Sequence, residues 1–421
     1  MILVFSILCA SGYVLLNLFQ AVYVGLYSKR MSRSPSRAKS DEFQPSTYVV
    51  LCLRGSDPSL PNCLAGLAAQ SHTNYRLVCV VDDLLDPALD SLKPFATQFQ
   101  HPPKTLLIDQ PSSTRSLKCS ALLTAFNDLL AMESPPEVVA MVDADAHCDP
   151  DWLNDLIAPL ADRAIDATTG NRWFEPRDQS LGSWVRQIWN AAAVVQMNLY
   201  GIPWGGSLAF RTSLLTQTNF SDRLQNAFCE DTLLSDVLRQ NKRKLYSVNQ
   251  LVVGNNESTD LAATRRFITR QLLTTKLYHW SWPLVVFHAL NIFVLNLLAL
   301  VGLGFALAQA DWPAATIFLA CIIISQLFNA AFLRWIGNIN RRQIAARPNS
   351  AVGSPEVLIS APKYMMAVAT SPWVHAWATF IALFRKRISW RGIDYEIGRA
   401  GVRMLQYQPF RPDQPEDQSI D

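Results

Sequence analysis

The sequence predicts an α/β domain with a mostly parallel sheet, set between apolar segments long enough to cross a membrane. From Thr47 to about Trp280, short apolar runs alternate with helical stretches, the signature of strands joined by crossover helices. The run Val138 to Val142 follows the Pro135-Pro136 breaker, carries no polar side chain and ends at once in Asp143, Asp145 and Asp149. A strand covered on both faces and delivering acids to its tip has this pattern. Long uncharged stretches open the chain and return after Trp280.

Residues 1–27 contain no charge and exceed the ~20 residues that span a ~30 Å hydrocarbon core. No basic residue precedes them, while Lys29, Arg30, Arg33, Arg37 and Lys39 follow at once, which is the pattern of an uncleaved anchor with its basic side in the cytoplasm. Residues 28–46 read as a basic flexible linker. A domain at 47–280 follows, with strands at Tyr48–Leu53, Tyr75–Val81, Thr105–Ile108 and Val138–Val142, and helices at Leu60–Gln70 and Leu117–Met132. The strand from Tyr75 ends in Asp82-Asp83, so polar tips recur along one sheet edge, where open α/β sheets bind ligands. Within 281–384, Trp282–Ala308 and Trp312–Phe332 are each long enough to span, and Arg334–Arg347 reads as a cytoplasmic basic loop. The run Val357–Phe384 is interrupted by Pro362, Lys363, Pro372 and His375 and has basic residues on both sides, which favours a re-entrant or interfacial hairpin over a single span. Residues 385–421 form a cytoplasmic tail.

A net charge of +3 over 421 residues gives no reason to expect nucleic acid. The eight cysteines contain no Cys-x-x-Cys pair and read as reduced, mostly buried thiols, not a disulfide or zinc framework. The informative charges are local. Asp143 and Asp145 share a face at the end of their strand, and paired carboxylates there call for a hard divalent cation that also holds diphosphate oxygens. Downstream come Gly201-Ile-Pro-Trp-Gly-Gly-Ser-Leu-Ala-Phe-Arg211, then Phe228-Cys-Glu-Asp-Thr232 opening a helix, then Arg265-Arg-Phe-Ile-Thr-Arg-Gln271.

These motifs, in this order, resemble the inverting GT-A-fold glycosyltransferases that include cellulose and hyaluronan synthases, and look most like the ceramide glucosyltransferase and hopanoid glycosyltransferase branch. The likeness covers about Thr47 to Tyr278 and, more loosely, Ile388-Ser-Trp-Arg-Gly-Ile-Asp-Tyr395. It implies a Rossmann-like GT-A catalytic domain in which Asp82 or Asp83 contacts the nucleoside and Lys118 faces the diphosphate. It further implies that Asp143 contacts ribose or sugar and that Asp145 binds the cation, Mg2+ or Mn2+. Gly205 and Gly206 would let backbone approach the donor sugar, with Trp204 as a platform. Asp231 would be the general base, supported by Glu230, and Arg266 and Arg270 would supply guanidinium groups for the diphosphate. The sequence departs from the family pattern at Phe267 and Gln271, the second of which stands where the family has an acceptor-wall Trp. Tyr278, His279 and Trp280 read as an interfacial belt, and His147 and Asp149 as packing or surface residues.

The resemblance implies a membrane-embedded inverting hexosyltransferase that moves a sugar from a UDP-sugar to a membrane lipid hydroxyl. A polysaccharide synthase is the enzymatic alternative, disfavoured by the few spans. A non-catalytic nucleotide-sugar sensor is the other. The basic run after Tyr27 puts the N-terminus outside and residues 40–280 in the cytoplasm. Single cysteines between Ser28 and Phe43 should therefore resist an impermeant thiol reagent added to intact cells; labelling from outside would reverse the orientation.

Overall fold

The computed structural model describes residues 1–32, 43–109, 111–347, 359–398 and 401–410. Its centre is a sheet of seven strands: β1 Thr47–Cys52, β2 Tyr75–Val81, β3 Lys104–Leu107, β4 Val138–Val142, β5 Ala167–Phe174, β6 Ser207–Arg211 and β7 Leu245–Asn255, in the order β3-β2-β1-β4-β6-β5-β7. The strands β3, β2, β1 and β4 run parallel, so their C-terminal tips share an edge; β6 is antiparallel to both β4 and β5, and β5 pairs in parallel with β7. Fully buried β4 has its two faces in two cores. Val139 and Met141 join one built on Phe126, Phe210 and Phe220, while Val138, Ala140 and Val142 join the other with Leu64, Trp152 and Leu156.

The first helices are α1 Ile2–Met31, α2 Leu60–Ala68 and α3 Leu117–Leu130, followed by α4 Leu181–Tyr200, α5 Asp231–Gln240 and α6 Leu261–Tyr278. Ser116 caps α3 by accepting a bond from Cys119 N at 3.1 Å, which fixes Lys118 in the first turn, beside the sheet edge. The helix α4 ends at Gly201, whose φ of 70° is the left-handed cap that a residue without Cβ adopts freely.

Three more helices follow, α7 Trp282–Ala308, α8 Trp312–Ala345 and α9 Ala361–Phe384. Among the described residues, α1, α7, α8 and α9 are the four helices long and apolar enough to cross a membrane. Polar side chains in α1, α7 and α8 turn inward and pair: Tyr13 Oη donates to Asn296 Oδ1 at 3.1 Å and Tyr27 Oη to Asn340 Oδ1 at 2.9 Å. Leu15, Leu300, Phe305 and Leu327 stay exposed, as a lipid-facing surface requires.

The structure corrects four sequence expectations. The linker expected from residue 28 starts later, because α1 continues to Met31 and Arg30 Nη1 donates to Asn198 O at 2.6 Å; residues 33–42 lie outside the described residues. The expected basic loop from Arg334 is helical to Ala345, with Arg341 Nε 3.4 Å from Glu175 Oε1. In place of a hairpin at Val357–Phe384 there is one continuous helix, α9, with Pro372 inside it. Both ends of α9 are tied to the sheet domain: Lys363 Nζ donates to Gln179 Oε1 at 2.8 Å, and Lys276 Nζ of α6 donates to Ala382 O and Leu383 O at 2.8 and 2.7 Å. A helix of 24 residues is ~36 Å long, enough to span, yet a crossing would carry one of those ends away from its partner. The expected tail, finally, folds into an antiparallel sheet of β8 Arg387–Trp390, β9 Ile393–Gly398 and β10 Gly401–Gln406, docked on the domain through Leu117 N to Tyr395 Oη and Met404 N to Ser113 O.

The tethering of α9 predicts that cysteines introduced at Gln179 and Arg387, near its two ends, are modified from the same side of sealed membrane vesicles. Modification from opposite sides would show that α9 crosses.

Candidate active site

The tips of β1 and β4, the first turns of α3 and α5 and the turn before β6 converge on a cavity of about 300 Å3. Its walls include Lys118, Asp143, Asp145, Gly205, Glu230, Asp231 and Arg270, so seven of the eleven residues that the sequence singled out meet there.

Charge is distributed in pairs. Lys118 Nζ lies 2.8 Å from Asp143 Oδ1 and 2.8 Å from Glu230 Oε1, joining the end of β4 to the start of α5. Arg172 of β5 reaches Asp143 Oδ2 at 3.3 Å and Asp145 Oδ2 at 3.4 Å, standing between the two carboxylates. Burial pushes the Asp143 carboxyl up, but Lys118 and Arg172 outweigh it and hold the group below the usual carboxylate range. Asp145 goes the other way: burial raises its carboxyl, Arg172 opposes, and neighbouring Asp143 adds to the rise. Burial would lower the Lys118 ammonium, yet its two carboxylate partners drive it well above its ordinary value.

Asp231 has no cation in contact. Its Oδ2 accepts from Gly205 N at 3.2 Å and its Oδ1 from Thr232 N at 2.6 Å; burial, then the adjacent Glu230, push its carboxyl up to about 6. A buried carboxylate with that affinity can take a proton near neutral pH. A Cβ on Gly205 would collide with Glu230 Oε1, so this approach of backbone to acid requires glycine. Gly206 is equally confined, between Trp204 and Asp143. Cys52 and Cys229 also face the cavity, but burial holds both thiols protonated, Cys52 up to about 12, so neither is a nucleophile at neutral pH.

Other expected residues stand apart. Asp82 does not line the cavity: its side chain is 0% exposed, ion-paired with Arg54 and accepting from Tyr407 Oη at 3.1 Å, beneath a C-terminal segment in which Gln408 O takes a bond from Arg54 Nη2 at 2.8 Å. Asp83 receives Leu85 N at 2.9 Å in a turn. Asp82 is closed to a nucleoside in this arrangement, whereas Asp83 is half-exposed. Arg266 is exposed on α6 while Phe267 takes the inward position, so one guanidinium of that pair, Arg270, reaches the cavity. Asp149 pairs with Arg347 Nη1 at 2.7 Å, and Tyr278 Oη accepts from Phe228 N at 2.9 Å, steadying the strand-like approach to Glu230. His147 does not line the cavity, and Trp280 is 50% exposed.

Sequence reasoning missed Arg172 and Glu257, and gave no role to Trp390 and Arg391 of the Ile388–Tyr395 segment that the resemblance covers; all four line the cavity. A lone arginine within an otherwise buried strand was the available signal for Arg172. What three dimensions add is the place of Trp390: it arrives on β8, with the Arg270 guanidinium 5.8 Å from its ring centroid, and lines the same cavity as Gln271. The turn that carries it is locked down by Arg391 Nη2 to Asp57 Oδ2 at 3.1 Å and by Arg54 Nε to Arg391 O at 3.1 Å.

A family model described as glycosyl transferase family 21 matches residues 5–402. The chain belongs to that family. It is therefore a glycosyltransferase using nucleotide-sugar chemistry. No curated protein matches the sequence. Among solved structures, a mannosyltransferase from Pyrobaculum calidifontis in complex with GDP-Man and Mn2+ shares 15% identity over 91% of this chain and 99% of its own, with a TM-score of 0.51, and shows the same GT-A-like fold. A glucosyl-3-phosphoglycerate synthase from Mycobacterium tuberculosis in complex with Mn2+, uridine-diphosphate and glucosyl-3-phosphoglycerate shares 15% identity over 57% of this chain and 85% of its own, but its TM-score of 0.37 bears no argument.

The family 21 site turns on Lys118 as countercharge. Replacing it, Lys118→Met, leaves buried Glu230 without its cation and half-buried Asp143 with Arg172 alone, and should lower stability by about 3 kcal/mol near pH 8. Asp143 then loses the stronger of the two cations that hold its carboxyl down, so it titrates higher in the variant than in wild type and the penalty fades as falling pH protonates it. The deficit in thermal midpoint should shrink between pH 8 and pH 5; a deficit unchanged over that range would deny Lys118 this role.

Proposed function

We propose that this family 21 enzyme transfers a hexose from a UDP-sugar to a hydroxyl of a membrane lipid, with inversion at the anomeric carbon. The observation that supports this reading is a single cavity whose walls hold both the acid and cation cluster and two residues of apolar helices, Val285 of α7 and His375 of α9. An acceptor entering from lipid would meet Asp231 without leaving the protein. The sheet domain then lies on the cytoplasmic side, and α9 lies along the membrane surface with Trp373, Trp377, Phe380 and Phe384 turned toward lipid.

The residues present suit a divalent ion. No group of three or more His, Cys, Asp or Glu side chains forms a metal cluster among the described residues, but Mg2+ and Mn2+ in such sites take one or two carboxylates and complete their shell with phosphate oxygens and water. Asp145 is half-buried and shares its one cation, Arg172, with Asp143, and the adjacent Asn255 Oδ1 is buried without a partner while its Nδ2 donates to Asp145 at 3.0 Å. Asp145 and Asp143 would hold the ion, which when bound offsets negative charge on the departing diphosphate.

The remaining chemistry falls to the chain. Asp231 takes the proton as the acceptor oxygen bonds to the anomeric carbon and the bond from that carbon to the UDP oxygen breaks, its electron pair leaving with UDP. Lys118 and Arg172 lie where that negative charge develops, preorganised by their carboxylates and costing little rearrangement. Arg270 adds a third cation. Glu230 keeps Lys118 directed at Asp143 and, through its own charge, keeps Asp231 basic. A sensor that only bound nucleotide sugar would have no use for a carboxylate so raised.

The deciding experiment incubates the purified chain with labelled UDP-hexoses and a membrane lipid extract. Label should appear in lipid, with kcat falling as pH drops through about 6 and Asp231 gains its proton. Asp231→Asn should cut kcat by about 10²–10⁴-fold while UDP affinity and thermal midpoint stay near wild type. Tight UDP-hexose binding with no labelled lipid would reject the reading in favour of a sensor.

A further inference from the structure

Residues 407–410 lie across the tips of β1 and β2. Strand β10 slips its register against β9 between Met404 and Gln406, and the chain then leaves the small sheet. Tyr407 Oη donates to Asp82 Oδ2 at 3.1 Å, and Gln408 O accepts from Arg54 Nη2 at 2.8 Å. The ring of Phe410 comes so close to Gly55 that a Cβ there would meet it at 2.8 Å. Arg54 holds this strap from below, since the same guanidinium is ion-paired with Asp82 and donates to Arg391 O at 3.1 Å. Arg54 and Gly55 also line the cavity, so the strap borders the site already described.

Docking for stability alone does not explain the strap. The Asp82 side chain beneath it is 0% exposed, yet its Oδ1 has no hydrogen-bond partner. Burial raises this carboxyl although Arg54 and Tyr407 both oppose the rise. One oxygen thus serves Arg54 and Tyr407, while the other lacks a donor that the strap does not supply, and a buried polar atom left so calls for a missing partner. The position says which partner. The sheet order runs β2-β1-β4, with the cavity at the tips of β1 and β4, and in doubly wound sheets an acid past the second strand hydrogen-bonds the ribose of a nucleotide bound at that crevice. The strap is also lightly held: none of its four residues is buried, and Pro409 has no N–H to give to a ladder.

We propose that residues 407–410 are an autoinhibitory strap over the nucleoside end of the cavity: the nucleotide binds after Tyr407 leaves Asp82, whose carboxylate then accepts from ribose or base. The inference rests on the nucleotide-sugar donor of the reading above and is indifferent to the acceptor. Apparent affinity for the nucleotide is the intrinsic affinity reduced by the fraction of chains with the strap lifted, so loosening the strap tightens binding. A segment that formed part of the nucleoside wall would give the opposite sign.

The test measures dissociation constants of UDP and, in parallel, GDP for the full chain as wild type, Tyr407→Phe and Phe410→Ala. Tyr407→Phe keeps the ring and removes only the hydroxyl on Asp82, a hydrogen bond to a charged group, so UDP should bind about tenfold or more tightly. Phe410→Ala should move affinity in the same direction. A dissociation constant does not depend on the fraction of chains folded, so a less stable variant cannot mimic the gain. In a separate chain, a nitroxide label on Gln408→Cys, at an exposed position, should gain mobility when UDP is added. Weaker UDP binding by Tyr407→Phe would make Tyr407 part of the nucleoside wall and overturn the strap; unchanged affinity in both variants would overturn it as well. GDP bound in place of UDP, with the same gain in Tyr407→Phe, would instead reject the uridine donor and leave the strap standing.

Discussion

The site depends on one ammonium group. Lys118 Nζ sits 2.8 Å from a carboxylate at the end of β4 and 2.8 Å from another at the start of α5, two elements that the chain itself does not join locally. Without that cation between them, Asp143 would keep only Arg172 while buried Glu230 faced it as a like charge. With it, the sheet edge and α5 form one unit and Asp231, next in sequence, is held against Gly205 N. The cap that orients the first turn of α3, the Ser116 hydroxyl on Cys119 N, is thus upstream of everything the acids do. Glu230 serves twice, neutralising Lys118 through contact and raising its neighbour's proton affinity through space.

How far this could be read in advance followed from whether an element is defined by its own residues or by distant ones. The bounds of β2, β4 and α7 match the sequence expectation because each is an apolar run closed by a charge or a breaker, a purely local signal. Strand β5 was invisible by the same rule: Thr168, Thr169, Asn171 and Arg172 interrupt any apolar run, and their burial is made tolerable by specific partners such as Thr168 Oγ1 to Leu156 O at 2.6 Å. At the site, Lys118, Asp143, Asp145, Glu230 and Asp231 were legible because motif order brings them to successive tips of one sheet. The covering of Asp82 was not, since it depends on Tyr407, more than three hundred residues away.

The membrane region shows the same division. Pro372 and His375 interrupt the last apolar run and suggested a turn, but a proline within an apolar helix is tolerated when neighbours satisfy the freed backbone groups. What decides the path of α9 is the pair of bonds from Lys276 to Ala382 O and Leu383 O, a contact that no property of residues 357–384 announces. The basic flanks were informative in another sense. With charges at both ends, the segment has no preferred outer side, and the structure brings both ends back to the sheet domain.

The resemblance leads one to expect an arginine followed directly by a tryptophan at positions 270 and 271. Here they are separated: Arg270 remains on α6, while Trp390 comes from a small sheet held to the domain by Tyr395, Met404 and Arg391. For protein engineering this makes the wall a replaceable part. On the proposed lipid-acceptor reading, the cavity wall can be varied at position 390 in libraries that leave α6 and Arg270 untouched, a freedom that a contiguous Arg-Trp pair denies.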